Sequence, residues 1–242
     1  MSPRLKGSKS LKSDQTHEHI YQIAMELFRA QGFDKTTMRQ IADKAKVATG
    51  AAYYYFGSKN EIVLRFYREL HAGDQAFVED AKFQQIKSLQ ERLKGLITHK
   101  LDQLQAHRHF LGGVFRNAND PGSPISPFSE TTRDIREGNI AHIEIAIQGS
   151  DAKIDKRLQV YLPRLLWFYQ MGIILFWFYD QSTAQAKTRE LLAKSLKFLV
   201  IGIRLFGLPL LGSLRKIALE LLESFTALLE NPVVEDRNGG VS

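Results

Sequence analysis

The chain has 242 residues, 44% of them hydrophobic, which is enough for one or two domains with a substantial core. Its formal net charge of +7 suits a polyanionic partner, although charge alone fits an anionic membrane surface or simple solubility as well. The absence of cysteine excludes a disulfide framework, a thiolate metal site and a cysteine nucleophile. Together with an N-terminus that shows no signal peptide, it leads to the expectation of a cytoplasmic protein.

Residues Met1–Ser13 carry Arg4, Lys6, Lys9 and Lys12 with no acid, and read as a disordered basic arm. Such an arm can follow phosphates or enter a minor groove, or be an idle solvated tail. An amphipathic helix follows, with Ile20, Ile23, Ala24, Leu27 and Phe28 on its apolar face. Thr37 can then accept from free backbone N–H groups while Gln40 completes a capping box, so a new helix starts there. Met38, Ile41, Ala42 and Ala45 form its apolar face, and Val47 supplies the plug where a second helix folds across it. That second helix, Thr49 to Phe56, is too short to be stable alone and carries tyrosines and alanines where a surface helix carries charge. Its exposed face expects a partner. A plain hairpin with the tyrosines in a core is the bland alternative. The next helix begins near Ser58 and runs to about His71.

From about Thr16 to Leu70, roughly a quarter of the chain, the sequence resembles the N-terminal domain of TetR-family transcriptional regulators. The resemblance lies in the amphipathic first helix, the run QGFDKTTMRQIADKAKVATG and the ending YYYFGSKNEI. Two positions depart from the family pattern, Ala48 where Ser or Thr is usual and Ala52 where Leu is usual. Without a hydroxyl at 48, Thr49 or a backbone group must cap the second helix. The candidate DNA-binding residues are then Thr37, Arg39, Thr49, Gly50, Ala51, Tyr53, Tyr54, Tyr55 and Lys59. By family position Lys59, Tyr54 and Tyr53 contact phosphates. The second helix has no Arg, Lys, Asn or Gln for bidentate base pairing, so Thr49 and Ala51 offer methyl contacts to thymine and Arg39 is the guanine candidate.

Beyond Leu70 the pattern stays helical. Phe83–His107 reads as one long amphipathic helix, with Ile86, Leu89, Leu93, Ile97, Leu101 and Leu104 on one face. The Gly112-Gly113 pair reads as a close helix contact. Three prolines and a glycine from Asp120 to Pro127 make a loop. Helices are expected over about Ser129–Ile147, Asp155–Asp180, Thr183–Phe206 and Ser213–Glu230, followed by a flexible tail at 231–242. The apolar stretches Leu165–Tyr179 and Leu196–Leu214 are too short or too charged to span a membrane, which takes about 20 nearly uncharged residues. No phosphate loop, zinc-protease motif or nucleophile elbow is present, and His107 and His109 point to different helix faces, so neither an enzyme nor a metal site is expected and no cofactor is called for.

Val160–Asp180 surrounds one helix with aromatic rings, so it must be enclosed by core or a second subunit, and part of it can line an apolar cavity. The candidate effector-pocket residues are Arg164, Trp167, Phe168, Tyr169, Met171, Phe176 and Tyr179, with Gln170 as a polar point and Arg164 leaving room for an acidic head group. A dimer interface is expected on the helix Lys187–Phe206 through Leu192, Ser195, Leu196, Leu199 and Ile203. The expectation is an all-α protein, with an N-terminal three-helix helix-turn-helix domain at 14–72 and a C-terminal helical ligand-binding and dimerisation domain at 73–230. The resemblance implies a homodimeric regulator, most often a repressor, that leaves double-stranded operator DNA when a small hydrophobic effector shifts the helix starting at Ser58. A ligand-free architectural DNA-binding protein of low specificity is the alternative.

Overall fold

The computed structural model describes residues 7–118, 122–207 and 212–230. Among these residues there are helices, turns and loops but no strand. Helix α1, Gly7–Gln31, buries Ile20, Ala24 and Phe28 completely, with Ile23 and Leu27 packed beside them. The basic arm expected over Met1–Ser13 is therefore helical from Gly7 onward, while residues 1–6 lie outside the described part. Further along, Thr16 Oγ1 donates to the Lys12 carbonyl at 2.8 Å, and Ser13 Oγ lies 3.3 Å from the Tyr55 hydroxyl, a contact to the helix-turn-helix.

Helix α2, Met38–Ala45, begins at the capping box formed by Thr37 and Gln40 and buries Met38, Ile41, Ala42 and Ala45, as the spacing predicts. It ends at Lys46, whose φ of 58° is left-handed and whose N–H returns to Ala42 and Asp43. Helix α3, Thr49–Tyr55, starts at Ala48 with no side-chain cap, so the backbone alone holds its first turn. A Ser or Thr cap there is worth about 1 kcal/mol. Ala52 is fully buried in the crossing of α2 and α3.

Helix α4, Lys59–Glu79, is capped by Ser58 and runs two turns past the expected end near His71. Nothing in the sequence stops it there: Gly73 lies inside the helix, where an added Cβ would meet Gln103, and Asp74, 1% exposed, pairs with Lys100 of the neighbouring helix. The boundary expected at 72/73 thus falls inside a continuous helix. The long helix expected over Phe83–His107 is two helices, α5, Ala81–Gln85, and α6, Leu89–Gln105, because Ser88 caps a fresh start by accepting from the Glu91 N–H.

Helix α7, Arg108–Ala118, carries both glycines of the Gly112-Gly113 pair. The proline-rich segment follows as turns from 122, with Ile125 and Ser126 buried, whereas 119–121 lie outside the described residues. One 3-10 turn, Glu130–Thr132, leads into α8, Arg133–Gln148. The helix expected over Asp155–Asp180 divides into α9, Lys156–Gln159, and α10, Leu162–Tyr179, with Asp155 as N-cap and Pro163 in the first turn of α10, where a missing N–H costs nothing. Helix α11, Ala186–Phe206, starts after a second 3-10 turn, Thr183–Gln185, and α12 spans Gly212–Glu230. The tail expected at 231–242 lies outside the described residues.

Helix α6 is the axis of the body, packed against α4, α7, α8, α10 and α11. Its Arg92 is fully buried with no carboxylate at hand. The guanidinium instead donates to the carbonyls of Phe83, Ile86, Ile145 and Ala146 at 2.8–3.1 Å, tying the chain ends around α5 and α8 to α6. A Cβ at Gly149 would collide with that guanidinium. Nearby, His71 and His142 stack with centroids 4.6 Å apart, and the His142 Nε2–H donates to Gln75 Oε1 at 2.7 Å. Burial first, then repulsion from His71, pushes the His142 pKa down to about 4. An unfolded histidine protonates near 6.5. The contribution of neutral His142 is thus complete above pH 6.5 and is lost as pH falls towards 4. Urea midpoints should fall over that interval, and His142→Gln should flatten that part of the profile.

Candidate nucleic-acid interface and ligand cavity

On the helix-turn-helix head, two elements carry the exposed candidate groups. Thr37 and Arg39 come from the start of α2, and Thr49, Gly50, Tyr53 and Tyr54 from α3, with Tyr54 81% exposed. A Cβ at Gly50 would meet nothing within 4 Å, so the surface is open to close approach. Ala51 is half-buried. Tyr55 turns the other way, its ring 5.8 Å from His17 and its hydroxyl on Ser13, so it ties α1 to α3 rather than joining the exposed set.

Lys59 is half-buried and already engaged. Its Nζ donates to the Phe33 carbonyl at 2.7 Å and lies 4.3 Å from the centroid of the Phe33 ring, and burial lowers its pKa.

The loop holding Phe33 is gripped from the body by α7. A Cβ added at Gly113 would stand 3.2 Å from the Phe33 Cβ and 3.3 Å from Asp34 Oδ2, so glycine permits the close approach. Asp34 accepts from Arg116 Nη2 and Asn117 Nδ2, both at 2.8 Å, and these bonds, Arg116 first, hold its pKa below the ordinary carboxylate range. Phe110 stacks on Phe28 of α1 at 5.1 Å. The exposed Asp34–Arg116 pair contributes about 0–1 kcal/mol. The buried ring stack and the glycine contact carry more of the attachment.

Behind α7 lies a cavity of about 390 Å³, predominantly apolar, bounded by α4, α6, α7, α8, α10 and the proline-rich turn. The opposite side of α7 supplies Leu111, Val114, Phe115 and Ala118 to it, and α4 supplies Tyr67 and Leu70. From α10 come Trp167 and Met171, as the sequence suggests, together with Gln170, Ile174 and Phe178. The other expected pocket residues stand elsewhere. Arg164 pairs with Glu137 at 3.2 Å, so it offers no head-group site in the cavity. Phe168 stacks on Phe128, the Tyr169 hydroxyl bonds Ser195 at 2.7 Å, and Phe176 and Tyr179 are exposed. These side chains leave the helix on sides that α8, α11 or solvent occupy. Lys100, Arg136 and Asn139 also line the cavity, and they come from helices whose facing could not be read from sequence periodicity alone.

The expected interface residues of α11 need a similar correction. Leu192, Leu196 and Ile203 are buried within the protomer, and Ser195 and Leu199 are half-buried, since this face packs on α6 and α10. The opposite face exposes Leu191, Phe198, Ile201 and Leu205 at helical spacing.

A three-helix head with a helix-turn-helix is joined to a helical body that holds a partly open apolar cavity. Residues 20–66 match the model for bacterial regulatory proteins of the tetR family, and residues 92–218, more than half of the chain, match the tetracyclin repressor-like C-terminal domain. The chain belongs to the TetR family of transcriptional regulators. It is 34% identical over 77 residues to the HTH-type transcriptional regulator TcmR of Streptomyces glaucescens, covering 32% of this chain and 33% of the relative. It is 27% identical over 113 residues to the HTH-type transcriptional repressor NicS of Pseudomonas putida, covering 46% and 52%. The matches thus span a third to a half of these relatives' length. The fold is similar to that of a TetR regulator from Nitrosomonas europaea, with TM-score 0.60 and 19% identity over 75% of this chain and 96% of that one. A second, from Streptomyces coelicolor, gives TM-score 0.57 and 16% identity over 90% and 99%. Among the described residues no helix is long and apolar enough to cross a membrane, and no group of three acidic, histidine or cysteine side chains could hold a metal ion.

Proposed function

We propose that the protein is a homodimeric, sequence-specific DNA-binding repressor released from its operator by a small lipophilic effector. The observation that carries this reading is the double role of α7: one side lines the cavity and the other grips Phe33 and Asp34 at the base of α2. A ligand that displaces α7 changes the seat of the DNA-reading head directly, in addition to any shift of α4. The head comprises residues 14–72 in function even though α4 continues into the body. To switch operator occupancy, the effector must prefer the released state, and an allosteric coupling of this kind is typically about 1–3 kcal/mol. Gly113→Val should wedge the loop away from α7 and lower operator affinity on the order of tenfold with helix content unchanged. Undiminished affinity would take α7 out of the coupling path.

In the DNA complex Arg39 reads a guanine, while Thr37, Tyr53, Tyr54 and Lys59 hold phosphates, Lys59 exchanging the Phe33 carbonyl for the DNA backbone. Thr49, Gly50 and Ala51 approach the groove floor. Lys59→Ala should weaken binding to all sequences alike and reduce the salt slope by about one. Arg39→Ala should instead relax base preference at one position per half-site, by about 1–3 kcal/mol. A salt titration and a binding-site selection separate the two.

The second copy docks on the exposed apolar side of α11 that carries Phe198, Ile201 and Leu205, and α10 and α12 add the exposed Phe176 and Leu221. Clustered exposed apolar side chains of this kind mark protein–protein contact sites. Two heads so joined match half-sites about 34–36 Å apart or slightly more. Phe198→Glu should yield a folded monomer by sedimentation with weakened binding to a palindrome.

A further inference from the structure

The cavity is lined by several polar side chains without a hydrogen-bond partner among the described residues. Gln170 of α10 is 2% exposed, lines the cavity and makes no hydrogen bond to any described residue. Its amide offers two N–H donors and one carbonyl acceptor. Trp167 Nε1 of α10 and Asn139 Oδ1 of α8, on residues that also line the cavity, are buried and without a partner among the described residues. Folded proteins pair the large majority of buried side-chain polar atoms. An orphaned donor, an orphaned acceptor and an idle amide around one apolar space therefore mark a place where a ligand completes the bonding.

The charged groups at the cavity are arranged differently. Lys100 is paired with the buried Asp74, which also accepts from Gln103 at 2.8 Å. Arg136 donates to the carbonyls of Pro127 and Ser129 at 3.0 and 3.1 Å, and its Nε lies 3.7 Å from Glu137. Both cations have their counter-charge or acceptors in place. A carboxylate brought in among Leu104, Leu111, Val114, Phe115 and Met171 would lose its water without gaining an uncommitted cation. A neutral oxygen would lose much less.

We infer that the effector of this cavity is a neutral, ring-bearing molecule with a ketone or hydroxyl oxygen held by the Gln170 amide, and that carboxylic acids of the same skeleton are rejected. This rests on the reading of the cavity as an effector site and adds the chemistry of its ligand. Trp167 supplies the aromatic wall, while its N–H and the Asn139 carbonyl become available to a second polar group through small side-chain rotations. A purely hydrocarbon ligand fills the space and leaves Gln170 unbonded.

The test is calorimetric titration of the DNA-free full-length protein with naphthalene, 2-acetylnaphthalene, 2-naphthol and 2-naphthoate at neutral pH. The ketone and the naphthol should bind about tenfold more tightly than naphthalene, and the carboxylate more weakly than either oxygenated neutral compound. Gln170→Met, close in shape and apolar, should keep naphthalene binding and abolish the tenfold advantage. Equal or tighter binding of 2-naphthoate, an advantage that survives Gln170→Met, or no binding by the whole series would overturn the inference. Operator release is scored separately. A ketone that binds through Gln170 yet leaves operator occupancy unchanged would overturn the regulatory reading and leave the ligand chemistry standing.

Discussion

The close approach of Gly113 to Phe33 is the constraint on which the arrangement of the two halves depends. With 3.2 Å between a hypothetical Cβ and the Phe33 Cβ, a side chain at that position would press on Phe33, so its absence lets α7 lie close against the head. Once α7 is seated, Phe110 reaches Phe28, and Arg116 and Asn117 reach Asp34. Leu111, Val114 and Phe115 are left to face inward, and the cavity follows as the space between α7 and α10. The Phe33 carbonyl, on the same short loop, also receives Lys59. One loop therefore joins the start of α4, the end of α1 and the body.

The polar interior is sorted into two kinds. Arg92 is a buried charge satisfied wholly by carbonyl oxygens, at the ends of helices where acceptors are in surplus. Asp74 and Lys100 form a buried pair with Gln103 as a further donor. Such groups fix register between α4, α6 and α8, because removing one member strands the other in a medium that does not solvate it. Gln170 belongs to the other kind. It sits as deep as these groups but bonds to no described residue, and the difference coincides with its facing open volume rather than a helix end.

The head was largely legible in the amino-acid sequence because its determinants are local. The Thr37 capping box, the four apolar positions of α2 and the Ser58 cap act within one or two turns, and each appears where the pattern puts it. The body was legible as helical, but two of its expected helices are each two, and facing was legible least. Ser88 is a local signal strong enough to split the long helix at α6, yet it lies inside an apolar repeat that runs across it. On α10, aromatic side chains all round conceal which side meets α7 and which meets solvent, so Trp167 and Met171 were separable from Phe176 and Tyr179 only after folding. On α11 both faces are apolar. Leu192 and Leu196 carry the heavier burial, and the exposed Phe198 stripe is the one a single-protomer core argument overlooks. Helix α7 is short and glycine-rich, and its importance comes from neighbours about eighty residues away in the chain.

The uninterrupted α4 has a mechanical consequence. Its 21 residues make a rod about 31 Å long, with the head at one end and Tyr67 and Leu70 against the cavity near the middle. A tilt of about 5° about the far end of such a rod carries its N-terminus roughly 3 Å sideways, close to the ~3.4 Å spacing of successive base pairs. If α4 moves as the proposed switch requires, a tilt of a few degrees is enough to take the head out of step with a groove. On that reading, the fit of a ligand in the cavity and the fit of a recognition surface in a groove become the same measurement made at two points along one lever.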